Sequence, residues 1–298
     1  MDLVWKIGLA LALAAVAAPA SAEVVPPAVT TDPAPDPAAP AAMAAFVLPS
    51  GDGAMNAILY LASGNRPHPT MLLLHGFPGN EQNLDLAQAA RRAGWNVLTL
   101  HYRGSWGSAG AFSFGHAVED ARNALAFLRR PESAARYRID PRRIVVAGHS
   151  MGGFRAARAC ADGGVLGTVM IDAWDIGADK AAIADPVRRQ TMIDEEFTGD
   201  MPPLAGTSID ALFAEISQSG AALDLSALMP ALAPRPLLIV GASRAGGHES
   251  ADFAARARAA GGGAVTSLTM ETDHSFSDHR IALAAALLSW LQTLPAPH

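Results

Sequence analysis

The sequence is poor in the residues that crosslink a fold or charge its surface. Its 298 residues include one cysteine, Cys160, so an internal disulfide is excluded. Charged residues make up only 17% of the chain, and acidic residues outnumber basic ones, giving a formal net charge of -6. This balance argues against nucleic acid and anionic membrane surfaces as partners. Half of the residues are hydrophobic, which is enough for a large buried core.

Several sequence patterns are also missing. No repeat with a period of roughly 20–50 residues is present, which argues against solenoids and propellers. No glycine-rich dinucleotide motif and no P-loop occur, so no organic cofactor is predicted. The aspartates and histidines of segment 273–279 do not have the spacing of known metal motifs, and no metal is predicted.

The first 22 residues have the features of a secretory signal peptide. Lys6 precedes an unbroken apolar run from Ile7 to Ala18, and Ala20-Ser21-Ala22 is a small-residue cleavage site. The apolar run has about 12 residues, whereas a membrane span needs roughly 20. We therefore expect cleavage after Ala22, a periplasmic or secreted protein, and no stable membrane insertion after cleavage. Asp2 weakens the basic region, so an uncleaved N-terminal anchor is the alternative.

After the signal peptide the sequence predicts a linker and then one α/β domain. Residues 23–45 are rich in proline and alanine, and repeated prolines deny the backbone regular hydrogen bonding, so we expect an extended linker. From residue 46 to 294 short apolar strands alternate with helical segments, which predicts a doubly wound, mainly parallel sheet covered on both faces. Residues 176–230 contain only short helical pieces, which predicts a small helical lid inserted after the sixth strand.

One segment of this domain combines a strand, a sharp turn and a helix around a serine. The β-branched run Ile144-Val145-Val146 leads into Gly148-His149-Ser150-Met151-Gly152, and a small-residue helix follows. This context turns a short Gly-x-Ser-x-Gly pattern into a nucleophile elbow, in which flanking glycines relieve the crowding around a strained serine. Ser150 is therefore the predicted nucleophile. A serine hydroxyl is a poor nucleophile by itself and needs an adjacent general base.

Three motifs of the chain resemble those of the α/β-hydrolase superfamily. They are His75-Gly76-Phe77-Pro78-Gly79 after one strand, the Ser150 elbow after another, and Asp273-His274-Ser275-Phe276 near the end of the chain. The resemblance extends from roughly residue 46 to 294. The segment Ile139-Asp140-Pro141-Arg142-Arg143-Ile144 is similar to that of the prolyl-oligopeptidase-like and dienelactone-hydrolase-like branches. The chain lacks the β-propeller of the prolyl oligopeptidases.

The resemblance implies roles for four residues. Ser150 would be the nucleophile and His274 its general base, since His274 follows the last predicted strand and comes after Ser150 in the chain. The backbone N–H groups of Phe77 and Met151 would form the oxyanion hole. Only their backbone atoms would act, so their side chains would shape the acyl pocket.

The acidic member of the expected triad departs from the family pattern. After the strand that follows the lid, the usual acid positions are occupied by Ser243 and Arg244. Asp172, at the end of the strand after the nucleophile helix, is the favoured replacement, and its placement resembles that in lipases of the pancreatic type. Glu249 is the alternative, although a carboxylate at the start of a helix also has a purely electrostatic role. A third possibility is that neither residue is the acid.

These residues predict a serine hydrolase that cleaves ester, thioester or small peptide and amide bonds through a Ser150 acyl-enzyme. A carboxylesterase is favoured over a peptidase, and the expected partner is a small molecule or a short peptide. The unusual acid position leaves open a non-catalytic or repurposed binding protein of the same fold. An acyltransferase or perhydrolase is a further alternative, because both would use the same nucleophile.

Overall fold

A single eight-stranded sheet forms the centre of the structure, a computed structural model that describes residues 25–295. The strands are β1 Ala42–Ser50, β2 Gly53–Leu61, β3 His68–Leu74, β4 Asn96–Leu100, β5 Ile139–His149, β6 Gly167–Ile171, β7 Leu237–Ala242 and β8 Val265–Met270. They lie in the order β1-β2-β4-β3-β5-β6-β7-β8. β1 and β2 are antiparallel to their neighbours, and the remaining pairs are parallel. The predicted signal peptide lies outside the described residues.

Helices connect the parallel strands, as an alternating strand–helix pattern predicts. They are α1 Leu84–Arg92, α2 Phe114–Arg129, α3 Pro131–Tyr137, α4 Met151–Ala161, α5 Lys180–Ala184, α6 Pro186–Met192, α7 Thr198–Asp200, α8 Ile209–Gln218, α9 Met229–Leu232, α10 Gly247–Ala259 and α11 Arg280–Thr293. The predicted doubly wound, mainly parallel α/β architecture is confirmed. No helix in the described part of the chain is long and apolar enough to cross a membrane.

The apolar strands are buried on both faces of the sheet. Within β5, Val146 packs into one hydrophobic cluster and Val145 into the other, because successive side chains of a strand point to opposite faces. Helices α2, α4 and α10 cover the first face, whereas α1 and α11 cover the second. This double burial explains why the strand sequences are nearly continuous apolar runs rather than alternating ones.

A helical insertion, residues Ile176–Leu232, separates β6 from β7, so the predicted lid after the sixth strand is confirmed. Backbone hydrogen bonds join it to the loop after β4. The Trp106 N–H donates to the carbonyl oxygen of Pro203 at 2.9 Å, and the Ala205 N–H donates to the carbonyl oxygen of Gly104 at 2.8 Å. In α8, Glu215 accepts hydrogen bonds from the first N–H groups of α2. These contacts hold the insertion over one edge of the sheet.

The predicted linker boundary at residue 45 is wrong, because β1 begins at Ala42, which pairs with Leu61 at the end of β2. The segment before β1 also contacts the domain. Arg92 of α1 donates hydrogen bonds to the carbonyl oxygens of Ala28 and Val29, at 2.6 and 3.0 Å. The sequence does not predict residues 42–45 as strand, because their alanines carry little strand signal and their hydrogen bonds come from the far end of β2.

Candidate active site

The turn between β5 and α4 holds Ser150 in a strained backbone conformation. Its φ is 56° and its ψ is −122°, a region that residues with a side chain rarely occupy. Neighbouring glycines make this turn possible: a Cβ on Gly148 would lie 2.0 Å from the Gly152 carbonyl oxygen, and a Cβ on Gly152 would lie 2.2 Å from the Leu74 carbonyl oxygen. The predicted strand–turn–helix context of Ser150 is therefore present, with both glycines required by close backbone contacts.

A cavity of about 810 Å³ opens above the carboxyl ends of the parallel strands. Ser150 follows β5, Asp172 follows β6, and His274 lies in the loop after β8, so the topology brings all three to the same edge of the sheet. Ser150 and His274 both line the cavity, and Ser150 is only 8% exposed. No hydrogen bond joins these two side chains in the described chain, and in enzymes generally such bonds often close only when substrate is bound.

His274 is oriented by Asp172. The Nδ1 of His274 lies 2.6 Å from Oδ2 of Asp172, whose side chain is fully buried. Since a carboxylate only accepts hydrogen bonds, Nδ1 is assigned as the protonated nitrogen, which leaves the lone pair of Nε2 available to accept a proton. This is the arrangement that a general base requires.

The end of β7 and the loop after it contribute to the site through their backbone instead of through a carboxylate. Oδ1 of Asp172 accepts a hydrogen bond from the Ala242 N–H at 3.0 Å, and Oδ2 accepts one from the Gly246 N–H at 3.2 Å. Burial by itself would raise the pKa of the Asp172 carboxyl, but the hydrogen bonds from His274, Ala242 and Gly246 outweigh it and lower that pKa. Asp172 is therefore held as an anion next to His274.

Glu249, the alternative acid, occupies a different place. It lies in the first turn of α10, is exposed, and lines the cavity. It makes no hydrogen bond to His274, whereas Asp172 does. The structure therefore brings Ser150, His274 and Asp172 together at one sheet edge and leaves Glu249 apart from the imidazole.

Two backbone N–H groups next to Ser150 are free of protein acceptors. Met151 is the first residue of α4, and Phe77 lies in the loop after β3. Within residues 25–295 neither N–H donates a hydrogen bond, although Phe77 lines the cavity beside Ser150. Free N–H groups stabilise developing negative charge, and that of Met151 also lies at a helix N-terminus, so these two are suited to an oxyanion.

His149 supports the loop that carries His274, a contact that the sequence did not predict. Its ring lies 4.5 Å from that of His274, and its Nε2 lies 2.7 Å from the His274 carbonyl oxygen, to which it donates. Burial, followed by the proximity of His274, lowers the pKa of His149 to about 4. His149 is thus neutral near pH 7 and packs against His274 without adding a competing charge.

The sequence also missed the residues that the helical insertion places in the cavity. A single π-helical turn, Ile193–Phe197, presents Glu195 and Glu196 to it. Trp174, which the sequence places at the rim of the pocket next to Asp172, lies before the insertion and also lines the cavity. Such turns occur often at functional sites. The acidic run Asp194-Glu195-Glu196 was the one available signal, but an acidic run is more often an exposed helix face. No cluster of metal-binding side chains occurs in the described residues.

One protein-family model matches most of the chain. A model of the alpha/beta hydrolase family matches residues 71–286, which span β3 to α11 and include Ser150, Asp172 and His274. No curated protein matches the chain.

Solved structures share the architecture at low sequence identity. The carboxylesterase EstE1 from a metagenomic library is 21% identical, with a TM-score of 0.60 over 90% of this chain and 92% of its own. An esterase from Pyrobaculum calidifontis is 16% identical, with a TM-score of 0.61 over 85% of this chain and 83% of its own. An acylaminoacyl peptidase from Pyrococcus horikoshii is 15% identical, with a TM-score of 0.61 over 87% of this chain but 43% of its own. At these identities the likeness concerns the fold.

Proposed function

Because the chain belongs to the alpha/beta hydrolase family, we propose that it is a serine hydrolase in which Ser150, His274 and Asp172 form the catalytic triad. The observation that carries this proposal is the meeting of three features in one cavity. They are the strained Ser150 turn, the His274–Asp172 hydrogen bond, and the free N–H groups of Phe77 and Met151. Each supplies one component of acyl transfer.

In the first step Oγ of Ser150 attacks the carbonyl carbon of the substrate while Nε2 of His274 accepts the hydroxyl proton. The carbonyl oxygen gains the electron pair of the broken π bond, and the Phe77 and Met151 N–H groups stabilise its negative charge. The Asp172 carboxylate stabilises the imidazolium that forms. Collapse of the tetrahedral species breaks the bond to the leaving group, which takes the proton from Nε2 of His274.

In the second step a water molecule attacks the acyl-enzyme. Nε2 of His274 accepts a proton from that water, the oxyanion forms again between Phe77 and Met151, and the bond from Ser150 Oγ to the acyl carbon breaks. His274 returns its proton to Ser150, so the enzyme is regenerated and the acid product leaves. The net reaction consumes one water molecule for each bond cleaved.

We propose an ester as the main substrate, with thioesters and small peptide or amide bonds as further candidates. The esterases among proteins of similar fold support this choice, and the acylaminoacyl peptidase supports a peptidase as second candidate. The arrangement around His274 speaks against a purely non-catalytic protein, since a binding role does not require an oriented imidazole. Transfer of the acyl group to an alcohol or to peroxide would use the same residues.

The test is covalent labelling with a fluorophosphonate, which forms a bond from Ser150 Oγ to phosphorus and releases fluoride. We expect labelling of the wild-type protein at Ser150 and none in Ser150→Ala, whose kcat for a p-nitrophenyl ester should fall by about 10⁶. Circular dichroism would verify that both proteins are folded. Absence of labelling in folded wild-type protein would refute the serine mechanism.

We also propose that the protein is exported, on the basis of the signal-like residues 1–22. Expression of the full chain in a bacterial host should give a product in the periplasm or medium whose N-terminal residue is Glu23. Retention of Met1 in the cytoplasmic fraction would contradict export and cleavage.

A further inference from the structure

Acidic side chains dominate the charge of the cavity lining. Five carboxylates from the helical insertion and the segment before it line the cavity, and we call this set the acidic wall: Asp175, Asp179, Glu195, Glu196 and Asp200. Glu249 also lines the cavity, and no lysine or arginine is among the lining residues that the structure describes. For a protein in which only 17% of residues are charged, this is a marked concentration of negative charge.

Most of the acidic wall has no cationic partner within the described chain. Glu195, Glu196 and Asp200 take part in no ion pair and no side-chain hydrogen bond among residues 25–295, although many acidic residues elsewhere pair with arginine. Asp179 accepts a hydrogen bond from Nε1 of Trp174 at 2.7 Å, which is a neutral donor. The negative charge therefore remains uncompensated on the side that faces the cavity.

The carboxylates of the wall also repel one another. Burial raises the pKa of Asp179, and the nearby Glu196 and Asp175 raise it further, whereas the hydrogen bond from Trp174 and, more weakly, the charge of Arg188 lower it. Burial and then Glu196 raise the pKa of Asp200 in the same way. A bound cation would relieve this repulsion, because an opposite charge favours the ionised form of each carboxyl group.

Aromatic rings lie in the same cavity as the acidic wall. The ring centroid of Trp174 is 6.3 Å from that of Phe77 and 6.4 Å from that of Phe197, and the two phenylalanines are 5.3 Å apart. Aromatic faces attract cations through their quadrupole, and quaternary ammonium groups are recognised by such clusters. The three rings therefore favour a cation that also carries apolar surface over a small hydrated ion.

Ser150 gives an independent reason to expect a ligand in this cavity. The residue is 8% exposed, lines the cavity, and its hydroxyl has no hydrogen-bond partner in the described chain. An unpartnered hydroxyl that opens into a cavity beside two free N–H groups is suited to bind the carbonyl group of a ligand. A molecule with its reacting carbonyl at Ser150 extends towards the acidic wall, since both line one continuous space.

We propose that the preferred substrates of this enzyme carry a positive charge, as an alkylammonium or quaternary ammonium group that lies between the acidic wall and the rings of Trp174, Phe77 and Phe197. This inference rests on the proposed serine hydrolase function and adds the class of its substrate. Glu196 and Asp200 act as specificity-determining residues, because their carboxylates are unpaired and face the cavity.

The experiment compares two fluorophosphonate probes that differ in one atom. One has an alkoxy chain ending in trimethylammonium, and the other ends in tert-butyl, its neutral isostere. We expect the cationic probe to label Ser150 about tenfold faster at low ionic strength, a ratio that falls towards one in 1 M salt as the charges are screened. Mass spectrometry of the labelled peptide and its time course give both rate constants.

Matched variants identify the source of the preference. Glu196→Gln and Glu196→Gln/Asp200→Asn should reduce the ratio of the two rate constants in steps. Glu132→Gln, which changes the net charge by the same one unit as Glu196→Gln but lies on the exposed surface of α3, should keep the wild-type ratio. Equal labelling by both probes, or an unchanged ratio in the double variant, would overturn the substrate class while leaving the serine mechanism intact. No labelling by either probe would refute the mechanism and this inference with it.

Discussion

Replacing Asp172 by asparagine would remove the charge that faces His274 while keeping the shape of the side chain. In the wild-type structure both carboxylate oxygens accept hydrogen bonds: Oδ1 from the Ala242 N–H, and Oδ2 from the Gly246 N–H and from Nδ1 of His274. An asparagine offers one acceptor and one donor group. Whichever way its amide lies, the NH₂ group faces at least one of these donors.

Two separate effects should follow in Asp172→Asn. The imidazole of His274 loses the partner that selects its tautomer and stabilises its charged form, so kcat should fall by about 10³–10⁴, or about 4–5 kcal/mol of transition-state stabilisation. The unmatched buried donor should lower the free energy of unfolding by about 1–3 kcal/mol. Hydrolysis of p-nitrophenyl butyrate measures the first effect, and urea denaturation measures the second.

The matched variant is Glu249→Gln, which makes the same carboxylate-to-amide change at the alternative acid position. We expect its kcat for this neutral ester to fall by no more than about threefold, because Glu249 is exposed and does not contact His274. The reasoning would be refuted if Asp172→Asn remained within about threefold of the wild-type kcat. It would also be refuted if Glu249→Gln suffered the larger loss.

Two further predictions concern stability. Gly152→Ala should lower the free energy of unfolding by about 3 kcal/mol, since its Cβ would lie 2.2 Å from the Leu74 carbonyl oxygen. Gly263→Ala, where nothing lies within 4 Å, should remain near wild type by urea denaturation. Asp179→Asn should raise the melting temperature at pH 7 by about 2 °C, because a carboxyl whose pKa is raised on folding destabilises the native state when ionised. That gain should vanish below about pH 4, where Asp179 is protonated in both folded and unfolded states, and a gain unchanged there would contradict this origin.

The sequence alone determined the features that depend on local pattern. The run Ile144-Val145-Val146 followed by Gly148 and Gly152 predicted a strand, a strained turn and a helix, because backbone crowding at Ser150 tolerates only glycine at those positions. The amphipathic spacing of residues 84–92 predicts a helix, and α1 has these bounds in the structure. Alternation of strands and helices predicted the fold, since parallel strands need covered crossovers.

Only the tertiary structure decided which distant groups meet. Asp172 and Glu249 were both candidates for the acid in the sequence. The choice between them depends on where β6 and the loop after β7 end relative to His274. His274 is 102 residues from Asp172 in the chain, so local sequence patterns do not reveal their contact. The acidic wall likewise could not be predicted from the sequence, because Glu196 and Asp200 line the cavity only as a result of the path that the insertion takes across the sheet edge. Residues 42–45 of the predicted linker belong to β1, because they pair with the far end of β2. Local patterns specify backbone conformation, whereas a site assembled from several strand ends depends on long-range packing.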